Sequence, residues 1–226
     1  MKPKVYIDGK EGTTGLQIYE RLALRDDIEL LLIDEAKRKD ADERKKLINA
    51  ADITFLCLPD AAAKEAVSFV EKDSARIIDA STAHRTAPGW AYGIPELSDA
   101  HKDAIVHAKY TANPGCHASG FVIPVYPLVA AGIIPKETPL TVFSLTGYSG
   151  GGKKMIAEYE SPEKPALYNT PRIYGLSLKQ NTTFYCGSYT NTTAYRNSYD
   201  GSNSRFTPPC SHSKTYLHNW KNDFNG

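Results

Sequence analysis

The sequence lacks the features that mark several classes of protein. Lys and Arg number 27 against 26 Asp and Glu, so the net charge is only +1 and no strong field favours a nucleic acid, a membrane surface or another polyanion. The 4 cysteines form no CxxC pair, which argues against a zinc site and a disulfide framework. No apolar run reaches roughly 18 residues, and no charged-then-apolar leader precedes the first strand. We therefore predict a cytoplasmic protein that binds a small molecule, with no metal, membrane or nucleic acid as a partner.

The sequence does contain a regular alternation of short apolar runs with helical patterns. The apolar runs span residues 5–7, 28–33, 53–58 and 76–78, and the helical patterns span 16–24, 41–50 and 61–70. Strands separated by helices of this length predict a mostly parallel sheet with helices on both faces. We predict an α/β fold, with a Rossmann-like domain over residues 1–113 that binds ligands at the carboxyl ends of its strands.

The pattern changes from about Trp90 and again after Gln180. Segments interrupted by Pro and Gly, an apolar stretch over 121–131 and a β-rich stretch over 140–145 predict a second, mixed α+β domain over residues 114–180. Residues 181–226 are rich in Asn, Thr, Ser and Tyr, without the period of a strand or a helix. We expect this tail to be foreign to the fold, either disordered or the product of a shifted reading frame.

A glycine-rich loop follows the first strand. Gly9, Gly12 and Gly15 recur at a spacing of three, directly before a helical run. Such glycines let the backbone turn tightly and approach a pyrophosphate, while the amides at the start of the helix receive the anion. An ordinary loop between a strand and a helix is the alternative, but the position after the first strand favours a dinucleotide site.

The residues after the second strand bear on which dinucleotide is bound. Asp34 or Glu35 stands where an NAD site uses an acidic residue on the ribose. Lys37, Arg38 and Lys39 follow at once, and cations at this place suit the 2′-phosphate of NADP. We predict NADP as the cofactor, with a solvated charge run as the alternative.

A cysteine follows the turn Asn113-Pro114-Gly115. The turn predicts that Cys116 begins a helix, where unpaired amides and the helix dipole stabilise a thiolate. A buried structural cysteine is the alternative, but the polar turn favours a nucleophile. We do not assign His117 as its base, because adjacent helical residues point in different directions. We expect His117 to cap the helix or to contact the cofactor region.

Six motifs, in this order, resemble those of N-acetyl-gamma-glutamyl-phosphate reductases of the shorter-chain branch. The motifs are Gly12-Thr13-Thr14-Gly15, Cys57-Leu58-Pro59-Asp60, residues 78–85 (IDASTAHR), residues 92–97 (YGIPEL), Asn113-Pro114-Gly115-Cys116 and residues 146–153 (TGYSGGGK). The resemblance covers residues 1 to about 180. It implies an NADPH-dependent acyl-phosphate reductase of arginine biosynthesis that forms a homo-oligomer at full length. It also implies that residues 114–180 are a truncated catalytic and dimerisation domain.

The resemblance also implies roles for individual residues. Cys116 would attack N-acetyl-gamma-glutamyl phosphate and carry a thioester, which hydride reduces to N-acetylglutamate 5-semialdehyde. Arg85 has a planar fork that suits the substrate's phosphate or carboxylate, with a surface arginine as the alternative. We expect the neighbouring His84 to be solvated and do not assign it to the site. The residues implied to bind the cofactor are Gly9, Gly12, Thr13, Thr14, Gly15, Pro59, Ser81, Ser149 and Gly150, the last two in a candidate anion nest over 149–153.

The resemblance fails at one place. The family's general acid/base is a histidine after the segment Tyr174-Gly175-Leu176, but here Asn181-Thr182 follows Gln180 and no matching histidine exists, unless His212 or His218 replaces it. Three functions therefore stay open: a working reductase, an enzyme resembling aspartate-semialdehyde dehydrogenase, and an inactive NADP-binding fragment. Residues 83–85 and 92–97 favour the first of these over the second. A cysteine hydrolase would leave the glycine loop unexplained.

Overall fold

A computed structural model describes residues 1–10, 12–142, 144, 147–163 and 188–189 of the chain. The predicted tail, residues 181–226, lies outside the described residues except for Ser188 and Tyr189. In the described part, no helix is both long enough and apolar enough to cross a membrane.

A parallel sheet forms the centre of the fold. Its strands are β1 (Lys4–Asp8), β2 (Glu29–Leu31), β3 (Ile53–Leu56), β4 (Arg76–Asp79), β5 (Ala91–Tyr92) and β6 (Tyr110–Ala112), in the spatial order β2-β1-β3-β4-β6-β5. All five neighbouring pairs are parallel. The strand order reverses between β1 and β3, and in open parallel sheets ligands bind in the crevice at the carboxyl ends of such strands.

Helices connect the strands, as parallel pairing requires. They are α1 (Thr13–Ala23), α2 (Ala41–Ala50), α3 (Asp60–Ser68), α4 (Asp99–His107), α5 (Cys116–Ala130) and α6 (Gly152–Glu160). Short 3₁₀ helices span Glu35–Lys37, Pro95–Leu97 and Tyr148–Gly151, and a second, two-stranded parallel sheet pairs β7 (Leu140–Thr141) with β8 (Ser188–Tyr189). The predicted α/β fold is confirmed. Of the predicted β-rich stretch 140–145, residues 140–141 form a strand and residues 142 and 144 do not, while residues 143 and 145 lie outside the described residues.

The main core lies between the sheet and helices α2 and α3. Small residues on the inner face of α3 let that helix approach the sheet closely, and alternate residues of the strands point into the same space. The side chain of Asp40 caps α2 by accepting hydrogen bonds from the amides of Asp42 and Glu43. The fully buried members of the core are Tyr6, Ile48, Ala51, Leu56, Ala63, Ala66 and Ile77.

A buried ion pair fixes the carboxyl end of β1. Arg44 of α2 lies 3.0 Å from the carboxylate of Asp8 and 2.7 Å from that of Glu65 in α3. Burial raises the pKa of Asp8, although the hydrogen bond and charge of Arg44 act to lower it. One guanidinium thus joins α2, α3 and the residue directly before the glycine loop. Removing one partner of such a buried pair is costly, because the other charge stays buried alone.

Candidate active site

A cleft of about 440 Å³ opens at the carboxyl ends of β1, β2 and β3. It lies at the reversal of the strand order, where a parallel sheet is expected to bind its ligand. The loop residues Gly9 and Gly12 line one side, Leu32 and Ile33 follow β2, and Pro59 follows β3. The predicted cofactor residues Gly9, Gly12 and Pro59 therefore share one cleft.

The glycine loop folds as tightly as its spacing predicts. Gly9 has a φ of +85°, and a Cβ there would lie 2.4 Å from the carbonyl oxygen of Cys57. A Cβ on Gly15 would lie 2.4 Å from the carbonyl oxygen of Gly9. The amide of Gly12 donates to that same Gly9 oxygen at 3.0 Å. Larger residues at these two positions would push the loop away from β3, so the cradle depends on both glycines.

Helix α1 presents its N-terminus directly after this loop. Gly12 is its N-cap, no side chain caps it, and its first turn carries no acidic residue. The first amides of an α-helix have no partner within the helix, so they attract an anion such as a pyrophosphate. Thr14 is exposed and Gly15 buried at this end, whereas the side chain of Thr13 lies outside the described residues.

The cations after β2 divide into two groups. Arg38 and Lys39 line the cleft, where Arg38 pairs with Glu35 at 3.1 Å. Lys37 pairs with Glu43 at 3.4 Å and is not part of the lining. Of the two acidic candidates, Glu35 lines the cleft, while Asp34 caps its own 3₁₀ helix by accepting from the amide of Ala36. Of the three predicted cations, the structure therefore places two, Arg38 and Lys39, at the cleft.

Two further lysines reach the cleft. Lys10, within the glycine loop, places its ammonium 3.8 Å from the centroid of the Tyr19 ring, and both residues line the cleft. Lys153, at the start of α6, lines it from the second domain. Sequence reasoning missed Lys10 and Tyr19 as neighbours, because Lys10 lies in the loop before α1 and no helical spacing relates it to Tyr19. The cleft therefore carries a local positive charge that the near-neutral composition conceals.

Cys116 stands where the sequence predicts it, as the first residue of α5. Gly115 is the N-cap, with an extended backbone at φ −75° and ψ 149°, and the cysteine itself is exposed. Its exposure excludes the alternative of a buried structural cysteine. The thiol is therefore accessible to an electrophile, at the end of α5 where the backbone amides have no partner within the helix.

The neighbouring His117 contacts the second domain. Its Nδ1 lies 2.6 Å from Oγ of Ser144. The imidazole thus joins the start of α5 to the segment after β7. The predicted general acid/base position, after residue 174, lies outside the described residues.

The expectation that His84 is solvated is wrong. His84 is 7% exposed, and its Nδ1 lies 2.6 Å from the carboxylate of Asp79 at the end of β4. The hydroxyl of Ser81, a predicted cofactor residue, is 8% exposed and donates to the same carboxylate at 2.7 Å. The hydroxyl proton of Ser81 is therefore donated to Asp79, and a role for Ser81 in cofactor binding stays a prediction.

Arg85 lies between this loop and the turn that precedes Cys116. Its Nε donates to the carbonyl oxygen of Asn113 at 3.1 Å, and its Nη2 donates to that of Ala80 at 3.3 Å. Burial lowers the pKa of the guanidinium, and electrostatic interactions with Tyr92, Asp79, Asp60 and Cys116 oppose this shift. The structure thus brings the predicted substrate-binding arginine into the electrostatic neighbourhood of the predicted nucleophile.

Ser149 and Gly150, in the candidate anion nest, are exposed in the 3₁₀ helix Tyr148–Gly151. The amide of Gly150 donates to the carbonyl oxygen of Gly147, and the amide of Gly152 donates to that of Ser149. These two amides are used within the turn. A role for Ser149 and Gly150 in cofactor binding stays a prediction.

The fold and the site define a class: a Rossmann-like dinucleotide-binding domain followed by a segment that carries an accessible cysteine. Comparison with known families agrees. Residues 4–105 match the family model described as "Semialdehyde dehydrogenase, NAD binding domain". Residues 116–180 match the one described as "Semialdehyde dehydrogenase, dimerisation domain". The chain belongs, through these residues, to the semialdehyde dehydrogenase family.

Curated relatives within this family share one name. The chain is 54% identical over 181 residues to an N-acetyl-gamma-glutamyl-phosphate reductase of Trichormus variabilis, covering 78% of this chain and 56% of the relative. It is 51% identical over 180 residues to one of Rhizobium etli, covering 79% and 58%. The chain therefore spans little more than half the length of the relatives it matches.

Solved structures show the same fold at much lower identity. Aspartate semialdehyde dehydrogenase II of Vibrio cholerae, complexed with ASA, aligns with a TM-score of 0.54 at 15% identity, covering 80% of this chain and 58% of that one. The aspartate semialdehyde dehydrogenase of Francisella tularensis aligns with a TM-score of 0.55 at 18% identity, covering 74% and 53%. Identity this low shows a shared fold and leaves the substrate open.

Proposed function

We propose that the whole protein reduces N-acetyl-gamma-glutamyl phosphate to N-acetylglutamate 5-semialdehyde with NADPH, as a step of arginine biosynthesis in the cytoplasm. The observation that carries this proposal is the accessible Cys116 at the start of α5, with Arg85 hydrogen-bonded to the turn before it. Relatives that are 48–54% identical and bear the reductase's name support the substrate. The aspartate-semialdehyde alternative has only the fold in its favour.

The reaction begins at the sulfur of Cys116. The thiolate attacks the acyl carbon, the bond to the phosphate oxygen breaks, and inorganic phosphate leaves with the electron pair. The guanidinium of Arg85, held by two backbone carbonyls, is placed to attract the anionic substrate as it reaches the sulfur. A thioester on Cys116 results, and its reduction and collapse release the aldehyde and return the thiolate.

The dinucleotide supplies the hydride for this reduction when it is bound. The tight cradle at Gly9 and Gly15 and the open N-terminus of α1 fit its pyrophosphate. Arg38 and Lys39 line the same cleft and would hold a 2′-phosphate, which favours NADP. Residues 116–180 match a dimerisation domain, so we also propose that the full-length protein is a homo-oligomer.

The choice of cofactor is testable on this chain without turnover. We expect NADPH to bind more tightly than NADH, and we expect the double variant Arg38→Ala/Lys39→Ala to lose this preference. Loss of charge-assisted contacts to a phosphate, at about 1.5–3 kcal/mol, corresponds to roughly 10–100-fold in affinity. Titration that follows quenching of tryptophan fluorescence measures both affinities.

Lys37→Ala is the matched control. It removes one positive charge from the same run, against two in the double variant, at a residue that pairs with Glu43 outside the cleft lining. We expect it to keep the preference for NADPH within about twofold, because screening weakens exposed charges at a distance. Equal affinity of the unsubstituted chain for both nucleotides would show that residues 37–39 are a solvated charge run. An equal loss of the NADPH preference in the Lys37 variant would show the same.

The substrate is tested in the full-length protein. We expect phosphate-dependent oxidation of N-acetylglutamate 5-semialdehyde with NADP, and no such activity in Cys116→Ser. Aspartate semialdehyde serves as the competing substrate in the same assay. A higher kcat/KM for aspartate semialdehyde would overturn the proposed substrate while leaving the role of Cys116 intact.

A further inference from the structure

The carboxylate of Asp79 organises the loop that follows β4. Its Oδ1 accepts the amide of Ser81 at 2.9 Å, and its Oδ2 accepts the hydroxyl of Ser81 at 2.7 Å and Nδ1 of His84 at 2.6 Å. The carboxylate is 0% exposed, so these donors replace the water that a buried charge needs. His84 closes the loop by bonding back to the strand that precedes it.

The ring of His84 is held on its face as well. It stacks on Trp90 with the ring centroids 4.1 Å apart and the planes 8° from parallel, and Trp90 stacks in turn on Tyr110 of β6. Because a carboxylate can only accept, Nδ1 is the protonated nitrogen of this pair. The imidazole is therefore fixed by one directional hydrogen bond and one stacking contact.

The residue after His84 is Arg85, which reaches the turn that precedes Cys116. Its Nε donates to the carbonyl oxygen of Asn113. The same turn is tied to β4 by a second bond, from the amide of Asn113 to the backbone oxygen of Asp79 at 2.8 Å. Asp79 thus holds two segments of the site. Its side chain binds His84 in the loop that carries Arg85, and its backbone oxygen binds the turn that precedes Cys116.

We propose that His84 is a positioning residue, whose hydrogen bond to Asp79 holds the Arg85 guanidinium beside the thiolate of Cys116. This inference rests on the proposed function, in which Arg85 attracts the anionic substrate to that sulfur. His84 itself touches neither the substrate nor the reacting atoms. Without this bond, the loop stays tied to Asp79 only at its start, through Ser81, and the end that carries Arg85 is free to move the guanidinium away from the sulfur.

The test compares two alkylating agents of the same size at Cys116. Iodoacetate is anionic and iodoacetamide is neutral, so the rate with iodoacetate divided by the rate with iodoacetamide reports the positive potential at the sulfur. Changes in the exposure or ionisation of the Cys116 thiol affect both rates and cancel in this ratio. We expect Arg85→Gln to lower this ratio roughly 3–10-fold at low salt, as expected for one nearby charge. Mass mapping of the folded chain assigns the label to each cysteine.

Two substitutions at His84 separate its two contacts. His84→Phe keeps a flat ring for Trp90 but removes the donor to Asp79, and we expect it to lower the ratio nearly as far as Arg85→Gln does. His84→Asn keeps a donor at the place of Nδ1 but removes the ring, and we expect its ratio to stay within about twofold of the unsubstituted chain. Half-buried Cys57 stays unlabelled while the fold is intact, so its labelling identifies a variant that has unfolded.

Arg25→Gln is the control for net charge. Arg25 pairs with Asp27 between α1 and β2, at the amino edge of the sheet, whereas Cys116 follows its carboxyl edge. An unchanged ratio in His84→Phe, or a loss in His84→Asn with retention in His84→Phe, would overturn the positioning role alone. An unchanged ratio in Arg85→Gln would overturn the substrate-anchoring part of the proposed function, and the positioning role with it.

Discussion

Two cysteines of this chain differ in chemistry because their surroundings differ. Cys57 follows β3 beneath the glycine loop, where burial, and then the negative charges of Asp79 and Asp8, raise its pKa to about 12. Cys116 lies exposed at the start of α5. The first thiol stays protonated at neutral pH and the second is open to an electrophile, so the site has one accessible nucleophile among its described cysteines.

The raised pKa of Cys57 makes the stability of the fold depend on pH. An ordinary cysteine ionises near 9.0, so between that value and about 12 the unfolded chain releases a proton that the folded chain keeps. The stabilisation is therefore fully present below pH 9 and is lost as the pH rises toward 12. We predict that the free energy of unfolding, measured in urea, is lower at pH 10.5 than at pH 8, with about 1–2 kcal/mol of the fall due to Cys57.

Substitution isolates that contribution from other groups that titrate at high pH, including the buried Tyr6. Cys57→Ala leaves a cavity that lowers stability at both pH values, but it should reduce the difference between them. Equal differences in the unsubstituted chain and in Cys57→Ala would contradict the prediction.

Single residues could be predicted from the sequence where local geometry decides their role. The spacing of Gly9, Gly12 and Gly15 predicted the loop, because a tight turn and close backbone contact are properties of the segment itself. His84 could not be predicted, because its burial depends on Trp90 and on Asp79, and the sequence does not show that these close around it. The different position of Lys37, which does not line the cleft as Arg38 and Lys39 do, could not be predicted either. It goes with a pairing to Glu43, which lies in the next helix, α2.

At the scale of elements, the prediction succeeded where the pattern was long. Residues 41–50 were predicted as a helix and form α2 with the same bounds, and all four predicted strands of the sheet are present. The sheet continues further than expected, since β5 and β6 add two strands after the change of pattern at Trp90. These strands have two and three residues, too few for a periodicity. Their place is set by pairing, of β6 with β4 and of β5 with β6, rather than by their own sequence.

Two helical glycines make a matched pair for testing the cradle. Gly15 lies in α1, where a Cβ would meet Gly9 and Lys10 at 2.4 and 2.9 Å, whereas a Cβ on Gly120 in α5 would meet nothing within 4 Å. We predict that Gly15→Ala lowers stability by about 1–3 kcal/mol through overpacking and weakens dinucleotide binding. Gly120→Ala should instead raise stability by about 0.5–1 kcal/mol, since alanine favours a helix.

Urea unfolding and nucleotide titration of the two variants check both effects. The pair controls for the chemical change, because each variant adds one methyl group to a helix. A Gly15→Ala chain that binds NADPH as tightly as the unsubstituted chain would show that the loop can move aside without loss of the site.

At the scale of the whole molecule, part of the second domain is left without cover in the described residues. Ile123 and Leu128 of α5 are 48% and 38% exposed, and Ile133, just beyond that helix, is 68% exposed. The match to the dimerisation domain ends at residue 180, and the chain spans 56% of the Trichormus relative. An exposed apolar patch of this kind invites association, and the rest of the family's second domain is the natural candidate to cover it.

The last prediction concerns the change of character after Gln180. Family motifs run up to this residue, and an Asn-, Thr-, Ser- and Tyr-rich tract without periodicity follows, where a basic residue and the family's histidine are expected. The codons AAA CAA AAA CAC encode Lys-Gln-Lys-His, and loss of one adenine gives AAA CAA AAC AC, which reads as residues 179–182. We therefore propose that residues from Asn181 onward are read in a shifted frame, and that this chain lacks normal turnover.

Restoring one adenine to the gene tests this proposal directly. The restored protein should regain the histidine and the remainder of the second domain, and we expect its specific activity toward N-acetylglutamate 5-semialdehyde to exceed that of this chain by at least the ~10²–10⁴-fold that a general acid/base contributes. Cys116→Ser in the restored protein is the control, and it should abolish the gain. Nucleotide affinity should differ little between the two proteins, because the cleft lies within residues 7–153. Comparable activity in both would refute the shifted frame and favour a genuine divergence in which His212 or His218 serves as the acid/base.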